Sequence, residues 1–184
     1  RSVRSGAGLC LVRAVMLPCA VGLLRSWTSV RAWLLALGAC PRRRASVVFW
    51  LGAAGALFLV LYVTWLGTEG EWYRWLRRYG VTVYFGGTSL AQLLLLWVLW
   101  PQRRALAGGR LAGPVAVLAA LVSAQWLLGV SSVAKRLLLD DPDLMDRIEN
   151  LIEWYYGLPM ALVLIVVAWM FARTGFRFRA VADP

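Results

Sequence analysis

Four carboxylates, Asp143, Asp146, Glu149 and Glu153, stand at helical spacing ahead of and inside the last apolar run of the chain, and they are the side chains best placed to do chemistry. Carboxylates so spaced can bind a divalent cation or work as general acid and base. A solvated helix start, whose negative charge complements the helix dipole, accounts for all of them except Glu153 without any chemistry. Composition removes most other mechanisms. The chain has no His, which excludes Ser-His and Cys-His catalysis, haem ligation by His and most catalytic zinc sites. It has no phosphate-cradling glycine loop and no CxxC. Cys10, Cys19 and Cys40 form an odd set without metal-ligand spacing; two of them lie in an apolar run, and all read as small membrane-packing residues. No cofactor and no metal site is expected.

The element that must hold these carboxylates runs from Asp140 to Phe171. Asp141 fits an N-cap, Pro142 fits the first helical position, and Asp143 and Asp146 fall in the opening turns. A helix of about thirty residues is roughly 45 Å long, more than a hydrocarbon core of about 30 Å, so its acidic start must project into water or headgroups. Asp146, Asn150, Glu153, Gly157 and Ala161 share one face, polar and then small, which is expected to turn toward other helices. Pro159 removes a donor to the Tyr155 carbonyl. Glu153 lies deep enough to need a partner; Arg74, Arg77 or Arg78 are the expected ones, with Gln125 or Thr82 as neutral alternatives.

Three further polar residues stand inside apolar runs: Thr88 and Gln92, stacked at i and i+4, and Gln125. Such groups prefer the interior of a helical bundle, as glue between helices or as ligand contacts. The surrounding composition fixes the class. Of 184 residues 61% are hydrophobic, gathered in long runs rather than amphipathic periods, the pattern of an all-α polytopic membrane bundle. Eleven Trp cluster near the run ends, as interfacial anchors do. The formal charge of +11 comes from basic residues in short loops, which points to membrane topology and not to nucleic acid.

Taken in order, the expected spans are 6–24, 46–66, 81–100, 111–130 and 146–171, in one helical domain over residues 1–184. Arg13 and Pro18 interrupt the first, and Trp33 to Cys40 reads as an interfacial patch. Gly52 and Ala56 in the second have the spacing of tight helix contact. Residues 67–80 read as a surface loop anchored by Trp72, Tyr73 and Trp75, with a short surface helix as the alternative. Ala112, Ala116, Ala119 and Ser123 give the fourth span a small-residue face, with Gln125 off it. The triplet Arg42 to Arg44, the loop with Arg103, Arg104 and Arg110, and the tail with Arg173, Arg177 and Arg179 are basic and nearly free of acids. The positive-inside rule then puts the C-terminus in the cytoplasm.

Asn150 and Glu153-Trp154 leading the last span, the glycine- and aromatic-rich RRYGVTVYFGG opening the third, and the basic inside loops together resemble the FRAG/DRAM/Sfk family of membrane proteins. That family includes damage-regulated autophagy modulators and a lipid-remodelling factor acting after GPI attachment. The resemblance implies six spans, five of them in this chain and a first one preceding Arg1. Family members often carry a His where this chain has Arg78-Tyr79. It implies an integral membrane factor acting on lipid organisation or on a membrane partner, through an outer mouth between spans two, three and five. The expected contacts there are Asp146, Asn150, Glu153, Arg74, Arg77, Arg78, Gln125, Gln92 and Thr88. The expected partners are membrane lipids and other membrane subunits. Two alternatives stay open: a small subunit of a larger membrane complex, and a His-free lipid-modifying enzyme using the outer carboxylates.

Overall fold

A computed structural model describes residues 6–65, 70–138 and 142–177; of residues 6–9, 12, 72–74, 77–78, 135–138, 142–143, 145–146, 149–150 and 153 it describes the backbone alone. Five α-helices make up these segments: α1 (Gly6–Ala36), α2 (Arg42–Trp65), α3 (Glu71–Leu99), α4 (Ala112–Leu138) and α5 (Pro142–Thr174). Among the described residues there is no strand. Contacts within the chain gather into two compact units, Arg1–Leu94 and Leu95–Pro184. Four helices are long and apolar enough to cross a membrane, at Arg42–Trp65, Tyr79–Leu99, Ala112–Ala134 and Trp154–Thr174. The second to fifth expected spans fall on these four; the first falls on α1, which is not among them.

The first unit is built on an antiparallel α1–α2 pair, and its register differs from the expectation for residues 6–24. Arg13 does not break the run. Its Nη2 donates to the Thr64 carbonyl at 2.9 Å and its Nε to that of Val63 at 3.4 Å. These are two of the last four carbonyls of α2, which have no partner inside their own helix, and the cation also complements the negative end of the α2 dipole. At the other end the Arg31 Nε donates to the Ser46 Oγ at 3.3 Å, and its guanidinium lies 5.9 Å from the centre of the Phe49 ring. Thirteen to 31 and 46 to 64 are equal spacings, each about 27 Å at helical rise. The part of α1 abreast of the apolar α2 is therefore 13–31, seven residues later than expected.

One stripe of each helix is buried: Ala20, Leu23, Trp27 and Val30 between the clasps and Trp33 and Leu34 just past Arg31 on α1, and Val48, Gly52, Gly55, Ala56, Leu59 and Val63 on α2. The close contact expected of Gly52 and Ala56 is present, and its reason is Trp27, because a Cβ on Gly52 would fall inside that indole ring. Trp33 to Cys40 is not a separate element. Helix α1 continues to Ala36 and closes on Gly38, whose φ is 61°. Gly38 N–H donates to Leu35 O and Ala39 N–H to Leu34 O, at 3.1 and 3.0 Å, the paired bonds of a Schellman ending. The matching apolar contact joins buried Ala39 to buried Leu34.

Helix α3 begins at Glu71, so the expected loop over 67–80 is in large part its opening turns. Glu71 lies in that first turn, where its charge suits the dipole, and Trp75 stacks on Tyr79 one turn later, ring centres 5.8 Å apart. Farther along, Gly87 and Gly80 approach the α2 backbone and Tyr62. Pro101 follows the end of α3, and its last carbonyls are taken by side chains: Gln102 Nε2 donates to Val98 O at 2.8 Å, and Arg103 Nη1 to Trp100 O at 2.6 Å.

The second unit packs Leu95, Leu99, Leu111, Val115, Leu118, Val122, Met160, Val163, Val167 and Met170 into a core. On α5 the buried face is thus Met160, Val163, Val167 and Met170, not the small stripe. A Cβ on Gly157 would meet nothing within 4 Å, and Ala161 is exposed. The expectation fails because valine and methionine fit a helix interface as well as small residues do, and they outnumber the small ones here. Pro142 is the first residue of α5, as expected, and the helix runs on through Pro159. It closes on Gly175 (φ 65°) with a second Schellman ending, Phe176 N–H donating to Phe171 O at 3.0 Å while the two rings pack. The expected N-cap, Asp141, lies outside the described residues.

Candidate functional site

The three polar residues expected inside the bundle are all buried. Thr88 is 1% exposed and Gln92 and Gln125 are 0% exposed, and Ser89 beside them is buried as well. On α3, Thr88 and Gln92 are one turn apart, so both fall on its inner face. Thr88 presses on α2 at Gly55: a Cβ built there would stand 2.5 Å from the Thr88 Oγ1 and 3.2 Å from the Tyr84 carbonyl. The Gly55 Cα–H therefore points at two oxygens, the weak hydrogen bond that glycine permits where helices touch. Thr88 Oγ1 has no conventional hydrogen-bond partner, and neither has Nε1 of Trp27, the other side chain seated on the glycine face of α2. In the second unit Gln125 continues the buried face of α4 formed by Leu111, Val115, Leu118 and Val122. Gln92 and Gln125 both have partners.

The charged candidates divide differently. Arg74, Arg77 and Arg78 belong to the opening turns of α3, and Asp146, Asn150 and Glu153 to those of α5. Their side chains lie outside the described residues, as does the Glu153–arginine pairing expected for them. Among the described residues no group of three His, Cys, Asp or Glu is close enough to hold a metal.

Two expectations about small residues change. Cys10 and Cys19 are exposed on α1 and so do not pack within this chain. The α4 face with Ala116 and Ser123 is exposed too, whereas the glycine face of α2 is occupied by Trp27 and Thr88. Sequence reasoning missed Arg13 and Trp27. The signal for Arg13 was its distance from Arg31, which equals the length of the apolar part of α2.

At the α1–α2 junction, burial pushes the Cys40 thiol above its ordinary pKa, opposed more weakly by the Arg44 charge and by a hydrogen bond from the Ala45 backbone. A raised thiol pKa means the folded protein favours the neutral form; that contribution to stability is full below the ordinary thiol range and is lost as pH rises through the raised value. In a protein with Cys10 and Cys19 changed to Ser, the pH profile of Cys40 alkylation by iodoacetamide is expected to lie to the alkaline side of that of the denatured chain. Coincident profiles would show that the thiol is not desolvated.

On the outside of the helices large aromatics are exposed: Trp50, Trp97 and Trp154 are 68%, 67% and 83% exposed. Arg103 stacks on Trp100 at 3.9 Å and Arg173 on Trp169 at 5.4 Å, cation–π pairs at the C-terminal ends of two apolar helices. Large apolar side chains cover the outside of the four membrane-length helices, while Thr88, Gln92 and Gln125 are buried among apolar residues, the arrangement of helices in lipid. They define a helical integral membrane protein. Comparison with protein-family models, with curated proteins and with solved structures gives no match to the chain.

Proposed function

We propose that the chain is a multi-pass membrane factor that organises lipid, in keeping with its resemblance to the FRAG/DRAM/Sfk family. The observation that carries the reading is the apolar outer surface of the apolar helices: large Trp and Leu side chains are exposed, while Thr88, Ser89, Gln92 and Gln125 are buried among apolar residues. The sequence has no His. Headgroup contact falls to the first turns of α3 and α5, which carry Arg74, Arg77 and Arg78 on one and Asp146, Asn150 and Glu153 on the other. The basic segments, Arg42 to Arg44, Arg103 to Arg110 and the tail from Arg173, which are nearly free of acids, face the cytoplasm.

Two measurements test this reading. In a cysteine-free protein, Asp143→Cys is expected to react with an impermeant maleimide in intact membranes and Arg177→Cys only after permeabilisation; the reverse pattern defeats the orientation. Protein purified in mild detergent is expected to retain phospholipid above the level of empty micelles. A lipid-free protein would overturn the reading. The alternatives also leave distinct marks there. A stable larger assembly through the exposed α4 face with Ala116 and Ser123 would favour a complex subunit. Turnover of a lipid, lost in Glu153→Gln, would make the chain an enzyme.

A further inference from the structure

Arg25 stands out once the register of α1 is fixed. Six residues before Arg31, it lies about 9 Å along the helix from the clasp on Ser46, inside the length of the apolar α2. It is exposed, among exposed Val15, Leu17, Val21 and Leu24. Unlike Arg13 and Arg31, it has no hydrogen-bond or ion-pair partner among the described residues. A guanidinium without a partner at that depth is costly in hydrocarbon unless its side chain reaches back to the interface, and an anion from outside the chain would stabilise it. Beside it runs an open groove of about 600 Å³ lined by Leu17, Pro18, Val21, Gly22, Arg25 and Val60. A Cβ on Gly22 would meet nothing within 4 Å, so the floor of the groove is free.

We propose that this groove holds one phospholipid, its phosphodiester on the Arg25 guanidinium and an acyl chain along Leu17, Val21, Gly22 and Val60. The chemistry fits at both ends. A guanidinium matches two phosphate oxygens at once, and the rest of the lining is apolar. The direction fits as well: Arg25 is at the end of the groove nearer Arg31 and Arg42 to Arg44, so a lipid of that leaflet would extend its chain toward the bilayer centre. A second copy of this chain suits the groove less, since a two-fold contact through it would bring like charges together.

The surface is distinct from the helix starts invoked above: loss of the shift here, with phospholipid still retained by Arg25→Leu, leaves the reading under "Proposed function" standing, whereas a protein that retains no phospholipid defeats both. The test is thermal unfolding of the purified full chain in a neutral maltoside detergent. Phosphatidylglycerol is expected to raise the midpoint by several degrees, whereas a diacylglycerol with the same chains and inorganic phosphate alone are expected to leave it unchanged. Arg25→Leu should keep the lipid-free midpoint and lose the shift; Gly22→Leu, which fills the groove without touching the charge, should also lose it. An equal phosphatidylglycerol shift in Arg25→Leu would overturn the proposal, as would a shift with inorganic phosphate alone. A change of oligomeric mass in Arg25→Leu, with the lipid shift intact, would make the face a protein contact instead.

Discussion

Gly52→Leu is expected to lower the yield of folded protein several-fold and to destabilise what remains by more than about 3 kcal/mol, the upper end for overpacking a close-fitted core. Even Ala is too large, since its Cβ falls inside the Trp27 indole. Trp27 cannot retreat, because it is 1% exposed with Leu23 and Val30 buried on either side of it along α1. Helices α1 and α2 would have to separate, and the arginine clasps at both ends of the pair would lengthen with them. Thermal inactivation followed by size-exclusion chromatography in detergent checks this. An unchanged midpoint would mean that Gly52 faces lipid.

Arg13→Leu is expected to be the next most damaging single change, at about 2 kcal/mol, the scale of hydrogen bonds from a charged donor. It leaves the Val63 and Thr64 carbonyls, at the end of α2, without the donor they now have. Arg13→Lys, with a point charge instead of a fork, should recover part of the loss. Arg25→Leu is the internal control, since Arg25 is exposed and holds no carbonyl. Equal stability of the Arg13 and Arg25 variants would show that the clasp contributes nothing.

These two positions also show what was legible in the sequence. Run length and hydropathy are local properties, and they located the four apolar helices; so are the stops, Pro142 at the start of α5 and Pro101 after α3. The inward turn of Thr88, Gln92 and Gln125 was legible too, because a polar group among apolar neighbours has few other places to go. The register of α1 was not. It depends on Arg13 meeting carbonyls some fifty residues away and on an indole fitting a glycine of another helix. An arginine in an apolar run looks like an interruption until its acceptors are known. The α5 stripe of Gly157 and Ala161 misled for a related reason: small residues allow close approach but do not compel it, and Met160, Val163 and Val167 form the packed face instead.

The equal spacing of the two arginine clasps makes the α1–α2 pair a gauge of membrane thickness. Arg13 and Arg31 fix polar levels about 27 Å apart along the helices, somewhat less than the roughly 30 Å of an average hydrocarbon core. A thinner bilayer is matched with the pair upright. In a thicker one both clasps cannot reach their headgroup layers, so the bilayer must thin around the pair, at a modest free energy per ångström of mismatch. Such a protein is expected to gather a collar of shorter or more disordered lipids and to partition toward thinner bilayers.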